Sequence, residues 1–231
     1  MNDAEVGTVL VTGGASGLGA AIVAEVVAAN GKALVLDRQA PERKVPHRLL
    51  DVADTRAAEE AVRTLVDNHG GQLDAVVTAA GIDCCGRLDV VEGKEWEHVI
   101  AVNLLGTAAV ARAALPYLEA SGGRLVTVAS TLGLRALSDA TAYCASKFGV
   151  VGFTRALAVE TAGRIGVTLL VPGGMSTHFF DDRPAQYRPA ADAKLNDPRN
   201  VACAVLFALR QPAGCELREL VVAASEEPSW P

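Results

Sequence analysis

The chain reads as an α/β protein: a doubly wound, parallel β-sheet of about seven strands with helices on both faces. Three observations predict this. Short aliphatic or β-branched runs alternate with longer helical patterns along the 231 residues. The short runs are continuously apolar, as strands buried on both faces must be. A glycine-rich turn, Thr12-Gly-Gly-Ala-Ser-Gly-Leu-Gly19, stands between the first strand and the first helix. Strands alternating with helices imply right-handed βαβ crossovers and one parallel sheet.

In chain order, the first strand is Thr-Val-Leu-Val-Thr over 8–12, and a helix follows the glycines over 18–29. A second strand spans 33–37. Residues 38–46 carry Pro41 and Pro46 among charged side chains, too short and too polar for a crossover helix, so a loop or single turn leads to a strand at 47–50. Helix 55–68, strand 73–78, helix 94–118 and strand 124–129 continue the alternation. Helix 142–162 and strand 167–171 come next. Residues 178–198 contain three prolines with Phe179, Phe180 and Tyr187. That is long for a connection and reads as a lid or binding loop. A helix at 199–209 and a strand at 217–223 complete the pattern. No repeat, low-complexity tract or interdomain linker interrupts it, so residues 1–231 are expected to form one domain.

Half of the residues are apolar and the net charge is −6, with both signs interspersed. A chain of this length buries enough surface to fold without a disulfide or metal staple. The absence of a basic block argues against nucleic acid or an anionic membrane as the main partner. Five cysteines, none in C-x-x-C spacing, point to free thiols in a reducing, cytoplasmic compartment. The adjacent Cys84 and Cys85 are the one oddity, read as small loop residues or as a redox pair. Residues 6–24 are uncharged, but five glycines and preceding acidic residues make them a buried strand, turn and helix rather than a membrane span.

The glycine turn lies where backbone must approach a pyrophosphate and where a helix N-terminus favours an anion. Asp37 ends the second strand, 18 residues after Gly19. A carboxylate there can accept hydrogen bonds from ribose hydroxyls and repels a 2′-phosphate, which favours NAD over NADP. Arg38 beside it offers a phosphate partner, so NADP stays possible. The G-x-x-x-x-G-K-[ST] loop of nucleoside triphosphate enzymes is missing. Further along, Tyr143 and Lys147 are four apart and share a helix face. An ammonium beside a phenol favours the phenolate and lowers its pKa towards working pH. Ser130 supplies a hydroxyl that could hold a substrate oxygen.

These residues resemble the short-chain dehydrogenase/reductase family in its compact branch, with its Rossmann-like fold, over nearly the whole chain. Thr12, Gly13, Gly17 and Gly19 match its cofactor turn, with Ser16 and Leu18 between them. Asp51-Val52 matches the pair that touches adenine, and Asn103 in Val-Asn-Leu its active-site asparagine. Ser130, Tyr143 and Lys147 match its Ser, Tyr and Lys, including the 13-residue Ser-to-Tyr spacing. Pro172-Gly173-x-Met175-x-Thr177 matches the segment flanking the nicotinamide. The resemblance implies that Tyr143 is the general acid/base and that Lys147 lowers its pKa and holds the nicotinamide ribose. It implies that Ser130 orients the substrate oxygen and that Asn103 supports a water leading from Lys147 to solvent. It also implies a homodimer or homotetramer built through helices 94–118 and 142–162.

The chain departs from the family pattern in three places. Thr78-Ala79-Ala80-Gly81 stands where the family often has Asn-Asn-Ala-Gly, so an amide is lost beside the adenosine. Ser16 is neutral where NADP-preferring relatives often carry a base, which again favours NAD. Trp230, in an atypical C-terminal tail, is expected to pack on a partner subunit or near the substrate. The expected pocket walls are 131–140, 82–87 and the 178–198 lid, mostly apolar, with Arg87, Arg135 and His178 as polar points. Such a pocket suits a hydrophobic secondary alcohol or ketone. A cyclic dihydrodiol dehydrogenase, a hydroxysteroid dehydrogenase and a 3-oxoacyl reductase remain open. An alternative is a sensor that binds NAD without turnover, but such proteins typically lose the tyrosine or lysine.

Overall fold

Thr8–Thr12 (β1) lies in the interior of the sheet, as its unbroken aliphatic run requires. The computed structural model describes residues 6–229; Trp230 falls outside them. After β1 come α1 (Gly17–Ala28), β2 (Lys32–Asp37), β3 (His47–Leu49), α2 (Thr55–Asp67), β4 (Ala75–Thr78) and α3 (Gly93–Ile100). Then follow α4 (Thr107–Ser121), β5 (Arg124–Val128), α5 (Thr141–Glu160), β6 (Gly166–Pro172), α6 (Pro198–Leu209) and β7 (Glu219–Val222). The seven strands are all parallel, in the order β3-β2-β1-β4-β5-β6-β7. The winding reverses between β1 and β4, so a crevice opens beyond the carboxyl ends of these neighbours.

Alternation along each strand sends side chains to two cores. Val9 and Val11 pack under α1 and α6 with Ile22, Val26, Val201 and Val205. Leu10 points the other way, into α2, α4 and α5, with Leu34, Val62, Val110 and Leu157. Leu10 has no solvent exposure, and truncating such a leucine to alanine typically costs about 2–5 kcal/mol.

The expected strands and helices all form, with shifted ends. β4 begins at Ala75 rather than residue 73, because the Asp74 carboxylate takes the Thr8 N–H at 2.7 Å. Residues 38–46 contain no helix, as their prolines dictate. The expected helix 94–118 is not uniform. A π-helical segment, Ala101–Gly106, separates α3 from α4 and carries Asn103. The whole run Gly93–Ser121 is long and apolar enough to cross a membrane by length and composition, yet it packs against α2, α5 and the sheet.

Candidate active site

The glycine turn is built by steric necessity. Gly13 sits at φ +70°, and a Cβ there would come within 2.8 Å of the Ala80 backbone. A Cβ on Gly19 would lie 2.0 Å from the Gly13 carbonyl oxygen. The Thr12 hydroxyl accepts the Ala80 N–H at 3.1 Å and stitches the ends of β1 and β4 together. Ser16 stands at the N-cap of α1 without a side-chain hydrogen bond to the helix. The leading N–H groups therefore face the crevice uncapped, where a pyrophosphate fits. Across from them, Thr177 is the nearest neighbour to the space above Gly17, at 3.6 Å.

Asp37 closes β2 beside this turn. Its carboxylate accepts the Ala15 N–H at 2.9 Å and the Gln39 N–H at 3.0 Å. Each oxygen keeps a further lone pair for a ribose hydroxyl. Arg38 leans towards Asp51, 3.9 Å away, and its side chain is 68% exposed. Val52 is buried against Gly106.

The second half of the site comes from β5, α5 and the π segment. Ser130 follows β5 and caps a short turn, its Oγ accepting the Leu132 N–H at 3.2 Å. Tyr143 and Lys147 occupy successive turns of α5, both buried. Lys147 Nζ lies 5.6 Å from the Tyr143 ring centroid and donates to the Val128 carbonyl at 2.9 Å. Asn103 is spent on architecture. Its Nδ2 donates to the Ile82 carbonyl and to Ser146 Oγ, each at 2.9 Å, and its Oδ1 accepts the Ile82 N–H at 2.9 Å. The π bulge turns this side chain towards the β4 loop, as such bulges often do at functional sites.

Burial governs the protonation of the pair. It pushes the Tyr143 phenol up to about 12; the Ser130 hydroxyl bonded to it acts downward and Asp83 acts upward. Burial also brings the Lys147 ammonium down to about 8, against the pull of Asp83. The expected lowering of the Tyr143 pKa by its lysine is thus reversed. Desolvation of the buried phenolate is the largest influence and sets the direction.

A cavity of about 1000 Å³ connects the two halves. Gly13, Ser16, Gly17, Leu18 and Gly19 line one end, and Ala79, Ala80 and Gly81 its side. Ser130, Tyr143 and Lys147 meet Pro172, Gly173, Met175 and Thr177 in the middle. Thr12 and Asn103 stand behind this wall as stitches. Asp37, Arg38, Asp51 and Val52 sit at the ends of β2 and β3 rather than on it, next to the lining residue Gln39.

The substrate end differs from expectation. Arg87 pairs with Asp89 at 2.9 Å, Arg135 is exposed, and neither lines the cavity. His178 does, but it is 91% exposed and bonded to Asp181 at 2.7 Å. The wall stays more apolar than polar, as expected, but its charged groups include Asp83, Glu95, Arg183 and Glu227 rather than Arg87 and Arg135. Asp83 and Arg183 are 100 residues apart, and no spacing signal links them. The oddity at Cys84 and Cys85 marked the right loop. Cys84 donates to Glu95 and Cys85 to Asp83, at 3.7 and 3.2 Å. Burial, reinforced by Asp83, raises the Cys85 thiol to about 12, so it stays protonated and unreactive.

The tail after β7 also reaches the site. Glu227 accepts the Gly174 N–H at 2.7 Å, while Ser229 lies 2.6 Å from the Thr131 hydroxyl. Burial raises the Glu227 carboxyl, but hydrogen bonds from Ser229 and the Gly174 N–H outweigh it and hold the pKa below the usual glutamate value.

Residues 7–188, which hold every element from the glycine turn to the lid, match the short chain dehydrogenase family. The chain belongs to this family. This short-chain dehydrogenase is 32% identical over 225 residues to an uncharacterised oxidoreductase of Staphylococcus aureus strain N315, covering 92% of this chain and 95% of that protein. It is also 32% identical over 217 residues to the 3-oxoacyl-(acyl-carrier-protein) reductase of Thermotoga maritima, covering 86% and 88%. Among solved structures, the ligand-free aldohexose dehydrogenase of Thermoplasma acidophilum superposes with a TM-score of 0.85 at 24% identity, over 96% of this chain and 94% of that one. An alcohol dehydrogenase from Thermococcus sibiricus complexed with 5-hydroxy-NADP gives 0.84 at 24% identity, over 95% and 97%. These two structures share the seven-strand Rossmann-like fold. The protein is an oxidoreductase of a family that binds a nicotinamide cofactor and acts on small molecules.

Proposed function

We propose that this enzyme transfers a hydride between NAD, in preference to NADP, and a secondary alcohol or ketone, with Tyr143 as general acid/base. The observation that carries this reading is the meeting of Ser130, Tyr143 and Lys147 in the cavity that begins at the glycine turn. A bound nicotinamide supplies the hydride acceptor or donor, and the protein supplies position and a proton. Gly13, Ser16, Gly17, Leu18 and Gly19 would hold the pyrophosphate. Asp37 would hold the ribose hydroxyls, with Asp51, Val52, Ala79, Ala80 and Gly81 around the adenosine. Pro172, Gly173, Met175 and Thr177 would flank the nicotinamide.

The preference for NAD rests on the Asp37 carboxylate at the strand end and on neutral Ser16. Arg38 leans to Asp51 instead of presenting a free cation beside the glycine turn. At neutral pH the Tyr143 phenol keeps its proton and is set to give it to a carbonyl oxygen that Ser130 also holds. The Lys147 ammonium favours the phenolate left behind. Asn103 keeps the β4 loop against α5 and so positions Lys147.

We place assembly at a homodimer or homotetramer. Leu105 and Phe148, 49% and 45% exposed, offer apolar surface on the neighbouring helical runs 93–121 and 141–160. Light scattering that shows a monomer at working concentration would reject it.

The test is the initial rate at 340 nm with NAD and with NADP. The panel comprises cyclic diols, hydroxysteroids and 3-hydroxyacyl thioesters. Turnover with NAD that falls about 100- to 10,000-fold in Tyr143→Phe, with NAD binding retained, is expected. Tight NAD binding with no turnover on any compound would replace the enzyme by a sensor.

A further inference from the structure

The lid over Tyr143 is organised around one side chain. Arg183 is 17% exposed, and its Nη2 donates to Asp83 Oδ2 at 2.6 Å. Its guanidinium lies 5.2 Å from the Phe179 centroid and 4.6 Å from that of Phe180. Those two rings meet edge to face at 5.5 Å, and Phe179 sits 5.8 Å from Tyr143. The Arg183 carbonyl takes the Nε–H of Arg188 at 2.7 Å, which ties the far side of the lid to the same residue. Asp83 is no loose surface acid. Its side chain is 4% exposed, and it accepts the Cys84 N–H at 2.7 Å and the Cys85 thiol at 3.2 Å. A second tie runs from the Tyr187 hydroxyl to Asp139, at 3.2 Å.

We propose that Asp83 and Arg183 form an internal charge clasp that positions the lid, with Phe179 over Tyr143, and limits the enzyme to uncharged hydroxyl or carbonyl substrates. This rests on the hydride-transfer reading for its substrate part alone. The physical argument has two steps. A buried ion pair contributes little net stability, yet breaking it leaves a charge without compensation, so the pair enforces one geometry rather than adding strength. The two charges are spent on each other, although the buried Arg183 Nε has no hydrogen-bond partner. Asp83 pairs with Arg183, and Glu95 and Asp182 add two further carboxyl groups to the same wall. Among the described residues, a substrate carboxylate therefore finds no unpaired cation on this wall apart from Lys147, which donates to the Val128 carbonyl, since His178 is bonded to Asp181. A neutral hydroxyl or carbonyl meets no such repulsion.

The experiment uses the full chain with Asp83→Asn, Arg183→Met and Arg183→Lys. Amide hydrogen exchange reads the lid without any substrate. Exchange over residues 177–188 should rise at least ten-fold in Asp83→Asn and Arg183→Met and less in Arg183→Lys. Exchange in β1, β4 and β5 and the Kd for NAD should stay within two-fold of wild type. Kinetics with cyclohexane-1,2-diol and 3-hydroxybutyrate as neutral and anionic probes read the substrate part. Wild type should favour the diol in kcat/KM. Asp83→Asn should raise KM for the diol more than it lowers kcat, and shift the ratio towards 3-hydroxybutyrate because Arg183 is left unpaired. Unchanged lid exchange in a folded Asp83→Asn variant overturns the clasp even if Arg183→Met fails to fold. A wild type that prefers 3-hydroxybutyrate overturns the substrate class. Absence of NAD-dependent turnover on every probe sinks the hydride-transfer reading instead, while the exchange arm still decides the clasp.

Discussion

Lys147 keeps an ammonium inside the protein with one carbonyl partner, from Val128. Burial brings it from its ordinary 10.5 to about 8. Below that value the folded chain carries a charge that water would hold better, at a cost of about 3 kcal/mol. Lys147→Met should therefore unfold at the same or a higher temperature than wild type near pH 7 while losing at least 100-fold in turnover. Calorimetry beside the rate assay checks both. The sign of the pH effect follows. Between about pH 8 and 10.5 the unfolded chain still binds a proton that the folded chain has released, so rising pH favours the fold. Wild type should gain stability relative to Lys147→Met across that window. Catalysis runs the other way. Carbonyl reduction should decline above about pH 8 as Lys147 loses its charge, well before Tyr143, at about 12, loses its proton. An alkaline limb of kcat only above pH 11 would contradict this. The Tyr–Lys spacing was readable from the chain, but the direction of the phenol's shift was not, because desolvation depends on what covers it.

At the scale of elements, the glycine turn was legible because backbone sterics speak through composition. Only glycine allows the Gly13 conformation and the approach of α1 to Gly13 at Gly19. Gly19→Ala should abolish dinucleotide binding, read by fluorescence, since its Cβ would need the space of a backbone oxygen. Asn103 was legible as a position but not as a device. Apolar periodicity made 94–118 one helix, and nothing local announces the π segment that turns the asparagine inward. Its three bonds reach Ile82 and Ser146, 21 and 43 residues away. Asn103→Leu keeps the branched shape, with somewhat more bulk, but leaves the Ile82 N–H, its carbonyl and the Ser146 hydroxyl short of partners. It should cost about 2–4 kcal/mol in urea unfolding and loosen the β4 loop. A change below about 0.5 kcal/mol would mean that water replaces the amide without penalty.

For the whole molecule, the reversal of winding between β1 and β4 places the glycine turn, the 79–81 loop and Ser130 around one crevice, and the tail after β7 closes its far side. Glu227 anchors the Gly174 N–H, next to the segment proposed to flank the nicotinamide. Glu227→Ala should weaken NAD binding about ten-fold, equivalent to about 1.4 kcal/mol, with a small change in melting temperature. Unchanged affinity would leave the tail a mere cover. Trp230, one residue after Ser229, lies outside the described residues. The chain by itself determined the doubly wound sheet, the glycine turn and the Ser130–Tyr143–Lys147 set, because periodicity, backbone sterics and helix spacing act over a few residues. Only the tertiary structure decided that Arg87 and Arg135 stay outside the pocket, that Asp83 meets Arg183, and that Glu227 returns to Gly174. Those contacts join residues about 50 to 100 positions apart, and their burial and charge pairing exist only once the sheet has brought the loops together.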